Sequence, residues 1–161
     1  MKIAQLLAAL ALALSACSPG VAEKPAAARS AAVARHPVSG LEVVPLVVRS
    51  GARVHRFRVE LARTGSEQGR GLMFRDRLGA NEGMLFPFDH PRMAAFWMKN
   101  TVISLDIIFI GTDGRILNIA ANTVPYSLES VLSDGTAKAV LELSGGRAAQ
   151  LGINAGDRVE W

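Results

Sequence analysis

Residues 105–110 read Leu-Asp-Ile-Ile-Phe-Ile, five large apolar side chains interrupted by one aspartate. A run that is this short and this apolar is typical of a strand covered on both faces of a sheet. Asp106 is then a carboxylate in apolar surroundings, where it needs a cation or several hydrogen-bond donors to remain charged. The segment therefore predicts a buried strand, and it makes the partners of Asp106 the first question about the molecule.

Short strands are also indicated on both sides of this run. Residues 56–61 read Arg-Phe-Arg-Val-Glu-Leu, and this alternation of charged with apolar side chains is typical of a half-buried strand. Residues 43–49 are rich in β-branched side chains, but Pro45 lacks the N–H that a central strand needs, so we expect an edge strand there. Asp113-Gly114 indicates a hairpin turn. Further short apolar segments lie at residues 83–88, 95–100, 115–122, 137–143 and 158–161.

Two short helices are predicted in the connections between these strands. Thr64-Gly-Ser-Glu67 is a capping box, which opens a helix that should end near Gly69 to Gly71. Residues 146–151 predict a second helix, ended by Gly152. About seven short strands at this spacing favour a mainly β fold, with residues 41–161 forming a single β-sandwich or barrel-like domain with two short helices in its connections.

The first 16 residues have the layout of a signal peptide, with a cationic start, an apolar run over residues 3–14 and small residues after it. The run is too short to span a bilayer. Leu14-Ser15-Ala16-Cys17 resembles the box read by lipoprotein signal peptidase, in which the thiol is acylated. An ordinary signal peptide, which would leave Cys17 free or discarded, is the alternative. Because Cys17 is the only cysteine, it has no internal disulfide partner, which favours lipidation.

Residues 17–40 predict a lipidated cysteine followed by a flexible Ala/Pro tether, since they are rich in alanine and contain little that could pack. The lipid anchor makes the membrane a partner and places the domain in the cell envelope, on the periplasmic side. Ser18 resembles the residue after the cysteine in lipoproteins sorted to the outer membrane, which favours that membrane over the inner one. A soluble periplasmic or secreted protein is the alternative.

Charge and motif content exclude several function classes. The formal net charge is +4, but four basic residues and one acidic residue lie in the first 40 positions. The remaining 14 basic and 13 acidic residues nearly balance, so no phosphate-binding surface is implied. His55 and His90 lack paired ligands at metal-site spacings, and neither a phosphate loop nor Gly-x-Ser-x-Gly occurs. We therefore expect no nucleic acid partner, no metal and no cofactor.

A set of short motifs runs in order through residues 71–146. They are Gly71-Leu72-Met73 with Arg75, Gly83-Met84-Leu85-Phe86, Phe-Trp-Met-Lys-Asn-Thr at 96–101, Leu-Asp-Ile-Ile-Phe at 105–109, and Leu141-Glu142-Leu143 before Gly145-Gly146. With them, residues 57–161 resemble the family known as domain of unknown function 192. The resemblance implies an all-β fold of sandwich type and implies no reaction. Ser104 departs from it, since the family usually has a proline there.

The candidate ligand site combines an aromatic side chain with polar ones. In a strand over residues 95–100, alternation places Trp97 and Lys99 on one face, where they could line a groove, and Asn100 on the other. Lys99 and Asn100 are also among the nearest donors for Asp106, and Glu142 poses the same question because apolar residues surround it. The candidate site residues are Trp97, Lys99, Asn100, Asp106 and Glu142.

These residues lead us to favour an exported, membrane-anchored domain that binds a small molecule, a glycan or an envelope protein, rather than an enzyme. One alternative is a hydrolase using Asp106 and Glu142, which requires the two carboxyls to lie about 5 to 10 Å apart. Another is a structural envelope partner domain, which predicts a broad apolar patch and no pocket. Each carboxylate also has a structural interpretation: Asp106 could tie a turn, and Glu142 could pair with Arg75, Arg77 or Arg92.

Overall fold

The computed structural model describes residues 33–161, so the predicted signal peptide, the predicted lipid attachment site at Cys17 and the start of the predicted tether lie outside it. No helix within the described residues has the length and apolar character needed to cross a membrane. The strands are β1 (Val43–Ser50), β2 (Arg53–Leu61), β3 (Glu82–Phe96), β4 (Leu105–Gly111), β5 (Ile116–Ala120), β6 (Val131–Ser144) and β7 (Arg158–Glu160), and the helices are α1 (Gly65–Arg70) and α2 (Arg147–Leu151).

All seven strands belong to one sheet, in the order β5-β4-β6-β3-β2-β1-β7. β2 and β3 are parallel and are joined through α1, whereas every other neighbouring pair is antiparallel. The sheet curls until its ends touch, since a bridge links Arg115 to Arg158 and the Val159 N–H donates to the Gly114 carbonyl at 2.8 Å. A mainly β fold with two short helices is therefore confirmed. The barrel-like alternative fits the curled sheet, and the sandwich is not confirmed.

The core covers both faces of the sheet, and all seven residues of β4 are buried, as the run at 105–110 predicts. We call the two sides the Asp106 face and the Glu142 face, after the carboxyl that each one carries. The core of the Asp106 face includes Leu46, Val48, Phe57, Val59, Leu85, Ile108, Ile110, Leu141, Leu143 and Val159. The core of the Glu142 face includes Ala62, Leu72, Met84, Phe86, Ala94, Met98, Leu105, Ile107, Phe109 and Val140.

Two strands differ from their predicted extent. The apolar segments at 83–88 and 95–96 belong to one long strand, β3, whose pairing with β6 shifts register between Pro87 and Arg92 and again between Met93 and Ala95. β3 ends at Phe96, so residues 97–100 are not a strand. Pro45 lies in β1, which is flanked by β2 and β7, but β7 pairs only with Val47–Arg49. Pro45 therefore lies in the half of β1 that has no β7 neighbour, where its missing N–H costs no hydrogen bond between strands.

Both helices begin and end where their capping residues predict. The Glu67 N–H donates to Thr64 Oγ1 at 3.2 Å, and Glu67 Oε2 accepts from the Thr64 N–H at 2.8 Å, which completes the capping box. The backbone N–H groups of Thr64 and Arg63 hold the pKa of Glu67 below its ordinary value. α2 lies between Gly146 and Gly152, both in the left-handed conformation that glycine adopts at low cost.

A hairpin precedes β1 and packs against β2. Arg35 bridges to Glu42, and the Gly40 N–H donates to the His36 carbonyl at 2.8 Å. Ser39 Oγ donates to a carboxylate oxygen of Glu60, which is only 3% exposed. The described end of the predicted tether, residues 33–40, is thus built onto the domain, and the folded part begins before Leu41.

Glu60 itself is held by an arginine. The Arg75 Nη2 atom lies 2.7 Å from Glu60 Oε1 and 2.6 Å from Oε2, and Nδ1 of His36 lies 3.7 Å from Oε2. We call His36, Ser39, Glu60 and Arg75 the Glu60 clasp. Because the ion pair is buried, removal of either charged partner would leave the other one without compensation. The hairpin is joined to β2 by the contacts of Ser39 and His36 with Glu60.

Asp106 lies on the face named after it and is fully buried, where three backbone N–H groups surround its carboxylate. Oδ1 accepts from Asn122 and Gly146, both at 2.9 Å, and Oδ2 accepts from Ala148 at 2.8 Å. The expectation that Lys99 or Asn100 supplies these donors is wrong. Asp106 instead ties β4 to the turn at Asn122 and to the start of α2, as in its structural interpretation.

We expect Asp106→Asn to lower the free energy of unfolding by about 2 to 3 kcal/mol, because an asparagine amide presents an NH₂ group to at least one of the three backbone donors. Urea denaturation of the purified protein measures this change. Asp113→Asn is the matched control, since its exposed side chain accepts one N–H bond from Arg115 in a surface turn. Equal midpoints for Asp106→Asn and the wild type would refute the structural role of Asp106.

Candidate functional site

Glu142 is a buried acid without a protein partner. It lies in the middle of β6, between Met84 of β3 and Ile107 of β4, and is 5% exposed. Burial among these apolar neighbours raises its pKa to about 8, since little solvent reaches the ionised form. No described residue donates a hydrogen bond to its side chain or accepts one from it. At neutral pH the side chain is therefore mostly a neutral carboxylic acid that is free to donate a proton to a hydrogen bond.

Glu142 lines a cavity of about 370 Å³, which we call the Glu142 cavity. This volume is at the lower end of the range typical of small-molecule sites. Its buried lining consists of Leu72, Phe86, Thr101 and Glu142, and its exposed lining includes Arg70, Arg92, Ala95, Trp97 and Lys99. The cavity thus runs from an acid and apolar groups in the interior to cations and an indole at the surface.

An aromatic wall follows β3 along the cavity. The rings of Phe86 and Phe96 lie 5.1 Å apart in an edge-to-face arrangement, and Phe96 meets Phe109 of the core in the same way at 6.2 Å. Such pairs are favourable beyond the area they bury and hold the rings in fixed orientations. Gly71 ends α1 beside this wall with a φ of 46°, a conformation that glycine adopts at low cost. The wall offers a rigid apolar surface to a ligand.

The mouth of the cavity carries three exposed cations, which we call the cationic rim: Arg70, Arg92 and Lys99. None of them forms a salt bridge among residues 33–161. The Arg92 guanidinium lies over the Phe88 ring at 4.2 Å, and Lys99 Nζ lies 5.1 Å from the centre of the Trp97 ring. Glu142 is the one acid in the lining, so the cavity is positively charged while that acid is protonated.

The structure brings three of the five predicted site residues together. Trp97, Lys99 and Glu142 line the cavity, and Trp97 is 48% exposed at its mouth. Trp97 lies beside Lys99 because of a turn after β3, not because of the strand alternation that predicted it. Asn100 does not line the cavity. It occupies the left-handed region with φ of 55°, and its carbonyl accepts from the Phe74 N–H at 2.8 Å.

The alternative of a hydrolase that uses Asp106 together with Glu142 does not fit the structure. Asp106 pairs across the strands with Leu143, whereas Glu142 pairs with Ile107. Since successive side chains of a strand point to opposite faces, the two carboxyls lie on opposite sides of the sheet. They share no cavity, and no substrate in the Glu142 cavity can reach Asp106.

Glu142 does not pair with an arginine either. Arg75, one of the suggested partners, is bound to Glu60 on β2. Sequence reasoning treated Glu60 as a polar residue of a half-buried strand and did not select it, since alternation alone cannot show that both faces of β2 are covered. Arg70 and Phe86 were also missed as cavity residues. The capping box locates the helix that carries Arg70, but no local signal shows that this helix ends beside β3.

Comparison with known proteins assigns a family. The model of DUF192, described as "Uncharacterized ACR", matches residues 46–161, and the chain therefore belongs to this family. A protein of unknown function from Novosphingobium aromaticivorans DSM 12444 is similar in structure, with 56% identity, a TM-score of 0.79, and coverage of 86% of this chain and 99% of that one. A second similar structure is a "putative transcription regulator" from Sinorhizobium meliloti 1021, with 38% identity, a TM-score of 0.73, and coverage of 74% and 94%. No curated protein matches the chain.

The raised pKa of Glu142 predicts how stability depends on pH. The native state keeps the proton up to about pH 8, whereas the unfolded chain loses it near the ordinary glutamate pKa of 4.5. The unfolded state thus binds fewer protons between these values, and the free energy of unfolding falls as the pH rises, by at most roughly 1.4 kcal/mol per pH unit. Glu142→Gln removes this contribution. Between pH 5 and about pH 8, the free energy of unfolding should therefore fall less in the variant than in the wild type.

Urea denaturation at a series of pH values measures the effect. Glu129→Gln, an exposed glutamate of the loop before β6, is the control and should retain the pH dependence of the wild type. A Glu142→Gln variant with the same pH profile as the wild type would show that Glu142 ionises normally in the folded protein.

Proposed function

We propose that this DUF192 protein is an exported, lipid-anchored binding domain that holds a small organic molecule in the Glu142 cavity. One observation carries the proposal: a buried carboxyl group without any partner in the described part of the protein lines a cavity that opens to solvent. The side chain keeps a small exposed fraction in the cavity, so its carboxyl group can meet an occupant there. A ligand oxygen or nitrogen can accept a hydrogen bond from the protonated form of Glu142.

The rest of the lining suits an occupant with an apolar or flat part. Phe86 and Phe96 form a rigid surface beside Glu142, and Trp97 extends it to the solvent. Apolar walls with a few convergent polar groups are the usual composition of small-molecule sites. A sugar ring stacked on Trp97 is one form that such an occupant can take, and binding of an envelope protein would instead engage the exposed rim.

Binding is favoured over catalysis by the composition of the lining. Acid and base catalysis by carboxyls needs two groups with separated roles, and the cavity lining contains one acid, Glu142, with no histidine, cysteine or serine. The hydroxyl of Thr101 donates to the Lys99 carbonyl at 3.3 Å and so serves the turn. The regulator name of the Sinorhizobium meliloti relative is not adopted, because the balanced charge of residues 41–161 does not favour a nucleic acid partner.

Obstruction of the cavity tests the proposal. Ala95 is an exposed lining residue of β3, so Ala95→Trp should fill the mouth with little effect on the core. We expect fragments from a mixed library of sugars, amides, acids and aromatic compounds to bind the wild type, and Ala95→Trp to weaken them at least about tenfold. Ligand-observed NMR measures the binding.

Val54→Trp is the matched control, since Val54 is an exposed strand residue that does not line the cavity. Circular dichroism confirms that both variants are folded. Fragments that bind Ala95→Trp as tightly as the wild type, or a library without any binder, would refute the cavity as a binding site.

The export and anchoring part of the proposal is supported by the sequence of residues 1–17 and is tested separately. In cells fed a clickable palmitate, the wild type should be labelled and should sediment with the envelope membranes. Cys17→Ala should lose the label and leave the membrane fraction, since a lipid chain contributes about 0.8 kcal/mol of membrane affinity per methylene group. Labelling that persists in Cys17→Ala would overturn the lipoprotein assignment.

A further inference from the structure

The charges around the Glu142 cavity indicate which class of molecule it takes. We propose that the ligand is a small organic anion, whose oxyanion group meets the cationic rim while a neutral acceptor atom, such as a carbonyl or hydroxyl oxygen, meets Glu142. This inference rests on the proposed function, because it specifies the occupant of the same cavity. Carboxylates and phosphate monoesters share the required chemistry.

The first argument is that the rim cations are held in place without being neutralised. Arg92 is stacked over Phe88 at 4.2 Å and Lys99 over Trp97 at 5.1 Å. A cation over an aromatic ring is attracted by the quadrupole of the ring, but it keeps its full charge and its N–H donors. The two cations thus keep free N–H donors at the mouth of the cavity, where a negative or strongly polar group can meet them.

The third cation is positioned by a helix. Arg70 lies in the last turn of α1, where the free carbonyl groups at the helix end favour a positive charge. The nearest acid on this helix, Glu67, is already occupied, since its Oε2 atom accepts from the N–H groups of Arg63 and Thr64, both at 2.8 Å. Arg70 therefore has no acidic partner on its own element and remains available to the cavity.

The second argument is the missing counter-charge in the interior. Met84 and Ile107, the cross-strand neighbours of Glu142, carry no charge, and burial keeps the acid protonated at neutral pH. A cavity with three cations and no ionised acid has a positive potential, which attracts anions and repels cations. The two ends of the cavity are then complementary to a bipartite ligand, with a charged head at the surface and a neutral acceptor inside.

Charge-matched ligand pairs test the inference on the full chain. Each aromatic or aliphatic carboxylate and phosphate monoester is paired with a neutral counterpart of the same shape, a primary amide or an alcohol, and with the corresponding amine. We expect the anions to bind about tenfold or more tightly than their neutral partners, and the difference to shrink with added salt. Isothermal titration calorimetry at low and at physiological ionic strength measures both effects.

Variants that remove one charge from the cationic rim show whether the charge of a ligand, and not only its shape, determines how tightly it binds. Arg92→Gln and Lys99→Gln should each weaken the anions by about three- to tenfold and leave the neutral partners unchanged. Arg77→Gln is the control, since Arg77 is an exposed arginine outside the cavity lining. A preference for carboxylates over phosphates, or the reverse, would identify the head group.

The outcomes distinguish this inference from the proposed function. Neutral compounds or amines that bind as tightly as the anions, in a manner that Ala95→Trp blocks, would overturn the anion class and leave the cavity as a binding site. Anion binding that Arg92→Gln and Lys99→Gln do not change would also overturn it, because the charge would then be recognised elsewhere. A panel without any binder sensitive to Ala95→Trp would refute the cavity site, and the anion class with it.

Discussion

The pairing register of β4 on β6 determines how the two buried carboxyls of these strands lie relative to each other. It sets Asp106 opposite Leu143 and Glu142 opposite Ile107, and so it assigns the two carboxyls to opposite faces. A slip of one residue would exchange the faces of every side chain in β4. Gly83 of β3 keeps the neighbouring strands close as well, since a Cβ there would lie 2.6 Å from the carbonyl oxygen of Glu142. This packing therefore keeps the structural acid, Asp106, on the opposite side of the sheet from the cavity acid, Glu142.

Three buried carboxyls in this small domain are stabilised in three different ways. Asp106 accepts three backbone N–H bonds, Glu60 is paired with Arg75, and Glu142 has no partner and avoids the cost of a buried charge by keeping its proton. In the first two arrangements the carboxylate oxygens all have partners within the protein, so a structural role accounts for both residues. The third arrangement leaves a donor unused, and this difference is why Glu142, rather than the more deeply buried Asp106, marks the candidate site.

Local signals in the sequence predicted the elements better than the site. The capping box at Thr64, Gly152 after α2 and the apolar run at 105–110 each depend on neighbours in the chain, and each was found where expected. The site depends on contacts between distant segments. Alternation continued through residues 97–100 would place Thr101 beside Lys99 on an exposed groove, but the chain turns after Phe96, and Thr101 is buried. No pattern within one segment reveals such a turn.

The Glu60 clasp also determines how the domain responds to a pull on its N-terminal end. Such a force acts first on the hairpin that bridges Arg35 to Glu42, where the few backbone bonds lie across the direction of peeling and break one after another. The load then reaches His36 and Ser39, whose contacts with Glu60 have to break before β1 is strained, whereas the buried pair of Glu60 and Arg75 lies outside the hairpin. The hairpin is therefore expected to open before the sheet does, which releases several residues of chain ahead of β1 and relieves tension while the sheet, and the cavity built on it, stays intact.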